Sequence, residues 1–437
     1  MEVATRKFLI NEIKNDILKY ESKILNALRI DLGKCEFEGV VAEVQYCLNE
    51  IDHILKKIDK WIKPKKVFTP LVHWPAKSFV FYEPYGHVLV IAPWNYPFQL
   101  CVSPLVGAIS AGNKVTLKPS EVTSETEKVV TEIFSSEKYR NYIDLVTGGV
   151  EETTALLKKK FDYIFYTGST AVGKIIMEAA SKNLTPVTLE LGGKSPAIVL
   201  EDADINVTAR RIVWGKLMNS GQTCIAPDYV LVAPSVKKNL LENMVVEIKK
   251  FYGDNPMSSS DYGQIVNQNH FNRLKDLIPK ECYFGGECDE KALKISPTII
   301  ESSNDDPLMK DEIFGPILPV LEMESLESGI KLINSKEKPL ALYAFTKSGN
   351  SQNKIIKGIS FGGGVINDTL IHIANGHLPF GGVGSSGLGS YHGENSFYTF
   401  SHKKSVIKRS FALDLSLRYP PYLGKLRVIR WLLKYIG

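Results

Sequence analysis

Apolar residues between positions 6 and 60 recur at helical spacing (Phe8, Ile13, Ile17, Leu18, Ile24, Leu25, Leu28) among many charges, which predicts amphipathic helices. Beyond them the pattern changes to short apolar runs that stop at turn residues. The run 87–92 breaks at Pro93, 114–117 ends at Lys118-Pro119-Ser120-Glu121, 142–146 ends at Thr147-Gly148-Gly149, and 162–166 ends at Thr167-Gly168-Ser169. Helix-compatible stretches such as 124–134 and 171–182 follow. Strand, turn and helix repeated in this way predict an α/β fold with a doubly wound, mostly parallel, Rossmann-like sheet, whose ligands lie beyond the carboxyl ends of the strands. A second α/β region follows, with strand-like runs at 229–233, 313–321 and 340–346 and an amphipathic helix near 236–251. The stretch 64–82 fits neither unit and is expected to pair, as an arm, with 402–411.

The chain has 437 residues, 44% hydrophobic and 23% charged, enough for two or three domains with a large core and unlike a disordered or repeat protein. Its net charge of +5 is uneven: nine Lys/Arg against the single acid Asp414 fall after residue 400, leaving the main body slightly acidic. That distribution argues against a general nucleic-acid surface and directs any anionic partner to the C-terminus. The six cysteines form no Cys-x-x-Cys pair and do not cluster with histidines, so neither a metal site nor a disulfide framework is expected. With no uninterrupted apolar stretch of a signal peptide at the N-terminus, a cytoplasmic location is expected.

Several segments are candidates for chemistry. Gly168-Ser-Thr-Ala-Val-Gly173-Lys174 imitates a nucleoside-triphosphate loop, but Ile175 stands where that loop needs Ser or Thr for magnesium. A strand-to-helix turn with these glycines still suits a pyrophosphate, and a plain βα turn is the alternative. A literal Gly-x-Gly-x-x-Gly at 382–387 follows no strand and opens no helix, so it reads as a Gly-rich loop near a site. Cys224, in Asn219-Ser-Gly-Gln-Thr-Cys224, sits in a polar setting foreign to core filling. A free thiol is only a few per cent ionised at neutral pH and needs help, for which Glu190 in Glu-Leu-Gly-Gly-Lys194 is a candidate. Pro93-Trp-Asn95-Tyr-Pro97 is a rigid turn able to aim the Asn95 amide at a reacting oxygen. Of the eight histidines only His392, between Tyr391 and Gly393, lies in a suggestive place.

Taken together, six motifs in order between residues 93 and 393 resemble the aldehyde dehydrogenase superfamily, and more closely its class 3 and fatty-aldehyde branch, over about residue 10 to Tyr422. The resemblance implies NAD(P)-dependent oxidation of medium- to long-chain aliphatic or aromatic aldehydes to acids through a thioester. By position it implies Cys224 as nucleophile, Glu190 as general base, and Asn95 with the Cys224 N–H as oxyanion hole. Lys118 and Glu121 resemble ribose contacts, Gly168, Ser169 and Gly173 pyrophosphate contacts, and Glu312 and Phe314 contacts on the nicotinamide side. Tyr46, Leu100 and Tyr391 would line the aldehyde tunnel. The implied cofactor is NAD, with NADP admitted. The implied domains are an NAD(P)-binding unit (1–63, 83–192, 386–400), a catalytic unit (193–385) and a bridging segment (64–82 with 401–411) for a homodimer. Residues 412–437 form a basic amphipathic tail, expected to lie at the tunnel mouth, on an anionic membrane, or packed on protein.

Two departures are visible. The chain starts inside what resembles the first helix of relatives, so an N-terminal stretch is expected to be missing. The Lys that many members outside this branch carry shortly after Pro-Trp-Asn is absent from 98–108, and with it any proton relay through that side chain. The rival readings are an acylating enzyme that passes the thioester to coenzyme A, which has no need of Glu190; a cofactor-free thiol hydrolase using Cys224, His392 and Asn95; and a non-catalytic protein that keeps the fold.

Overall fold

In the computed structural model, which describes residues 1–436, the amphipathic start is a helix Val3–Leu32, followed by Glu36–Gly39, a π-helical turn Val40–Val44 and a helix Gln45–Trp61. The first helix ends at Gly33, whose φ of 63° and N–H bond to Arg29 O stop the spiral; a side chain there would meet the backbone of Gln264 at 2.9 Å. Ile13, Ile17, Ile24 and Leu28 are fully buried, each stabilising by about 1.5–3 kcal/mol. Phe8 and Leu18 are instead exposed, because at about 100° per residue they point roughly 180° and 100° away from Ile17.

Strand β3 (His87–Ile91) runs through the middle of a six-stranded sheet. β4 (Lys114–Lys118) and β5 (Ile143–Leu145) lie on one side of it, β6 (Tyr163–Thr167) and β7 (Val187–Glu190) on the other, all parallel. The winding reverses between β3 and β6, so the segments leaving their carboxyl ends diverge and open a crevice. Four sequence segments with candidate chemistry leave the sheet at this edge: Pro93–Asn95 after β3, Lys118 at the end of β4, Gly168-Ser169 after β6 and Glu190 at the end of β7.

β7 is a four-residue strand that the apolar pattern did not predict. The Gly-rich loop at 382–387 leads into β16 (Gly387–Leu388), which pairs antiparallel with β7 and sets Gly387 opposite Glu190. A side chain at Gly387 would approach Leu189 O at 2.6 Å, so these glycines serve close passage along the sheet edge.

A second six-stranded sheet is parallel throughout, in the order β12 (Thr298–Glu301), β13 (Ile317–Glu322), β9 (Tyr229–Val232), β8 (Pro196–Val199), β14 (Ala341–Phe345), β15 (Gly363–Ile366). The run expected from 313 starts its ladder only at Ile317. Phe314 has φ 52° and Pro316 lacks an N–H, so 313–316 forms a loop that enters the site. A small hairpin, β10 (Cys288–Asp289) with β11 (Lys294–Ile295), lies before β12.

The arm predicted to pair with 402–411 does so. β1 (Lys65–Val67), β2 (Lys77–Pro84) and β17 (Ser401–Lys408) make a three-stranded antiparallel sheet with β2 in the centre. The far edge of β17 has no strand beside it among the described residues.

The tail helix spans Leu426–Ile436, shorter than the apolar pattern from Leu423 suggests, and rests near the turn Leu71–His73 of the arm. Leu423, Trp431, Leu433 and Tyr435 are exposed. The side chain of Ile436 and residue Gly437, both in the predicted tail, lie outside the described residues. No helix among the described residues is long and apolar enough to cross a membrane.

Candidate active site

At the crevice of the first sheet lies a cavity of about 590 Å³, within the range of roughly 300–1,000 Å³ usual for ligand pockets. Its wall is mostly apolar. Cys224, Glu190, Asn95, Gly168, Ser169, Glu312, Phe314, Tyr46, Leu100 and Tyr391 all line it. Lys118, Glu121 and Gly173 do not. Lys118 is buried at the end of β4 and pairs with Glu121 at 2.8 Å beside the Gly148-Gly149 turn. Gly173 lies one turn into the helix Thr170–Ser181, where a side chain would meet Leu191 Cδ2 at 2.7 Å; its smallness lets the helix pack on the strand.

The Cys224 loop is held in an unusual conformation. Asn219, Ser220 and Gly221 are successively left-handed, with φ of 53°, 52° and 77°, and each non-glycine there costs on the order of 1–3 kcal/mol. The polar side chains that set Cys224 apart in the sequence are the clamps that retain this shape. Asn219 Nδ2 donates to Asn95 O at 2.9 Å and to Gln222 O at 3.1 Å, and Gln222 joins Gln264 O and the Val266 N–H at 2.9 and 3.0 Å. Thr223 Oγ1 bonds Tyr96 OH at 2.7 Å, and Glu38 accepts the Asn219 N–H at 3.1 Å.

Burial, reinforced by the Glu312 and Glu190 carboxylates, pushes the Cys224 thiol up to about 12, while backbone N–H groups of Cys224 and Ile225 pull the other way. At neutral pH it is therefore a thiol that must lose its proton to react. Glu190 is 2% exposed and neither carboxyl oxygen has a hydrogen-bond partner. Burial alone holds its proton affinity well above the ordinary carboxylate range. Asn95 uses its amide to donate to Gln222 O at 3.1 Å, which leaves its second N–H free for a ligand. Glu312 is raised to about 8 by burial and by Asp228, against the Gly193 N–H and the Lys194 and Lys216 ammonium groups. A side chain on Gly192 would collide with the Glu312 carboxylate, so Gly192 is what lets that carboxylate approach β7.

His392 is out of play as a base. It is buried, does not line the cavity, and bonds Tyr46 OH through Nε2 at 2.9 Å. Burial, with His372 nearby, drives it down to about 3, so it is neutral at physiological pH. The sequence reading missed other wall residues. His270 and Arg273, one helical turn apart on Gln268–Lys275, reach the cavity beside Trp94, whose ring lies 4.8 Å from His270 and 5.3 Å from Phe314. Their i, i+3 spacing is the one signal that marked a shared face. Ile371, Ile373 and Ala374 come from a short 3₁₀ turn that no periodicity announced.

The residues present fit a dinucleotide. Gly168 and Ser169 bring the N-terminus of Thr170–Ser181, whose Val172 N–H is capped by Ser169 Oγ at 3.4 Å, with its positive dipole end to the cavity wall. Beside them the buried Thr167 hydroxyl, also on the wall, has no partner and is available to a ligand.

Residues 1–406 match the model of the aldehyde dehydrogenase family. The 4,4'-diaponeurosporen-aldehyde dehydrogenase of Staphylococcus aureus is 48% identical over 98% of this chain and 94% of its own. A dimeric NADP-preferring aldehyde dehydrogenase of Canis lupus familiaris is 44% identical over 95% of this chain and 93% of its own. Among solved structures, the substrate-bound state of Staphylococcus aureus AldH superposes with a TM-score of 0.96 at 47% identity, covering 99% of this chain and 95% of that one. With Cys224, Asn95 and Glu190 gathered on one apolar cavity beside a dinucleotide-type helix terminus, the chain belongs to the aldehyde dehydrogenase family and is an oxidoreductase that acts on aldehydes with NAD or NADP.

Proposed function

We propose that this chain oxidises apolar aldehydes, aliphatic of medium to long chain or aromatic, with Cys224 as nucleophile and Glu190 as general base. The observation that carries the reading is one apolar cavity in which a thiol, a half-used amide and an unpartnered carboxyl converge. Once its own proton has passed to solvent, Glu190 has the proton affinity to accept the thiol proton as Cys224 Sγ bonds the carbonyl carbon. The resulting oxyanion receives the free N–H of Asn95 and the Cys224 N–H. A bound NAD or NADP would supply the acceptor for the hydride of this carbon, which leaves the thioester on Cys224. Once its proton has passed to solvent, Glu190 draws one from water, whose oxygen attacks the thioester; the carbon–sulfur bond breaks, the acid leaves and Cys224 is regenerated. Transfer to coenzyme A would make Glu190 superfluous, and a thiol hydrolase would lack its histidine, since His392 is held by Tyr46.

For the cofactor, Lys118 and Glu121 take the adenosine ribose, Gly168 and Ser169 the pyrophosphate with Gly173 packing the helix behind them, and Glu312 and Phe314 the nicotinamide side. The Glu121 carboxylate favours NAD through the ribose 2′-OH and repels a 2′-phosphate, while its partner Lys118 tempers that repulsion. Tyr46, Leu100 and Tyr391 form part of the aldehyde tunnel. We further place the chain in the cytoplasm as a homodimer joined through the open edge of β17, an edge costly to leave bare. The tail, basic and exposed in its apolar residues, touches an anionic membrane without crossing it.

Four variants check these assignments. Cys224→Ala should abolish NADH formation. Glu190→Gln should slow the first hydride transfer without abolishing it, the thiol proton then passing to solvent, and should slow deacylation more, cutting turnover ~10²–10⁴-fold and leaving an acyl-enzyme visible by intact mass; stalled turnover without that adduct removes Glu190 from the role. Glu121→Gln should shift preference toward NADP by roughly fivefold, the weight of about 1 kcal/mol for two charges 4 Å apart in water, and an unchanged ratio of cofactor affinities dismisses the residue. A chain ending at Pro421 should remain a dimer by light scattering yet lose binding to anionic vesicles. A monomeric full-length protein contradicts the β17 interface, and equal vesicle binding by both chains reduces the tail to packing.

A further inference from the structure

Behind the cavity wall two opposite charges are fully enclosed. Lys34 is 2% exposed and Glu43 is 0% exposed, and they form an ion pair. Lys34 Nζ also donates to the backbone carbonyl of Asn95 at 2.9 Å and lies 3.9 Å from the centre of the Tyr96 ring. The second Glu43 oxygen accepts the N–H groups of Phe98 and Gln99 at 3.1 and 2.9 Å. Those amides open the helix Gln99–Ala111 and have no acceptor within it. The pair thus grips the segment 95–99 at both ends. Asn219 Nδ2 reaches the same Asn95 carbonyl at 2.9 Å and ties the segment to the Cys224 loop.

The local backbone is built for this placement. Glu43 lies in the π-helical turn Val40–Val44, where Val41 and Ala42 line the cavity while Glu43 turns to the buried side. Such turns carry an extra residue and recur at functional sites. Stability gives little reason for the charges, because apolar residues of similar volume commonly do as well as a buried ion pair or better. What the pair supplies is direction: an ammonium on one carbonyl and a carboxylate on two amides fix both the position and the rotation of one short segment.

We propose that Lys34 and Glu43 are positioning residues for the reaction, fixing the Asn95 amide at the oxyanion site in register with Cys224. The proposal rests on Asn95 being an oxyanion donor. Because that donor acts over hydrogen-bond distance, a shift of about 1 Å in its position is enough to cost on the order of 10²-fold in rate.

The test is a kinetic cycle on the full-length enzyme. Lys34→Met with Glu43→Gln removes both charges of the pair, and the Gln oxygen can still accept from the helix start, so the grip on Asn95 is lost together with the Lys34 charge that faces Glu38. This double variant should lower kcat about tenfold or more with KM little changed. Asn95→Ala should lower kcat about 10²–10³-fold. Adding it to the double variant should cost no more than Asn95→Ala alone, because residues acting as one unit are not additive. Unchanged kcat in the folded double variant, with Asn95→Ala impaired, overturns the positioning role and leaves the oxyanion assignment standing. An unimpaired Asn95→Ala overturns both. Fully additive losses also overturn it, since a general loosening of the fold would act independently of Asn95. If the double variant does not give folded protein by circular dichroism, Lys34→Met alone, which removes the bond to the Asn95 carbonyl, replaces it with the same expected kcat loss, and an unchanged kcat there overturns the proposal.

Discussion

Glu190 is a carboxyl group buried at the end of β7 on the cavity wall, with no hydrogen-bond donor on either oxygen. Folding therefore meets the cost of removing an ionisable group from water without recovering it through a local bond. Nearly everything around the site follows from that placement. The apolar wall that accommodates a hydrocarbon aldehyde is the wall that raises Glu190, and the same enclosure lifts the Cys224 thiol to about 12. The Glu190 carboxylate adds to the rise of the thiol, while burial alone raises Glu190, so the resting site favours protons on both. A neutral thiol beside a carboxyl of high proton affinity is a pair through which a proton can move when substrate arrives.

The strain is local and is offset by hydrogen bonds from outside the loop. Asn219 and Ser220 accept left-handed backbone because Glu38, Gln264 and Asn95 hold the loop from three other segments. Residues 34–43 supply Lys34, Glu38 and Glu43, so a stretch remote in sequence from Cys224 touches both the nucleophile loop and the segment that carries Asn95. Rigid positioning of donors before charge develops is the larger part of what such sites contribute to rate.

Much of this was legible in the sequence because turn chemistry is local. The strands at 87, 114, 143 and 163 end where Pro93, Pro119 and the glycines at 148 and 168 interrupt an apolar run. The polar residues around Cys224 were visible as an anomaly, although their work as clamps was not. What escaped were features that need long-range pairing. β7 and β8 are four residues long, too short for periodicity, and are strands because β6, β9 and β14 lie beside them. The loop 313–316 read as strand from its apolar residues, since nothing local marks the positive φ of Phe314. Lys34 and Glu43 looked like ordinary helix charges; only the π-helical turn and the return of the chain at Asn95 bury them.

Glu190 is buried without a partner and therefore holds its proton unusually tightly, and linkage fixes the sign of what this does to stability. A carboxyl whose folded pKa is raised contributes its full stability below its unfolded value of about 4.3 and loses it as pH rises through the folded value. Replacing Glu190 by the neutral Gln removes that loss, while the other buried acids, Glu312 and Glu38, titrate in both proteins and cancel in the difference. The measurement is the thermal midpoint of Glu190→Gln minus that of the unmodified chain, followed from pH 4 to pH 8. The account predicts a difference that is smallest near pH 4 and grows in favour of the Gln protein as pH rises. A difference that stays flat, or that turns toward the Glu protein at high pH, would mean that Glu190 is solvated or paired in the folded molecule and would contradict the account.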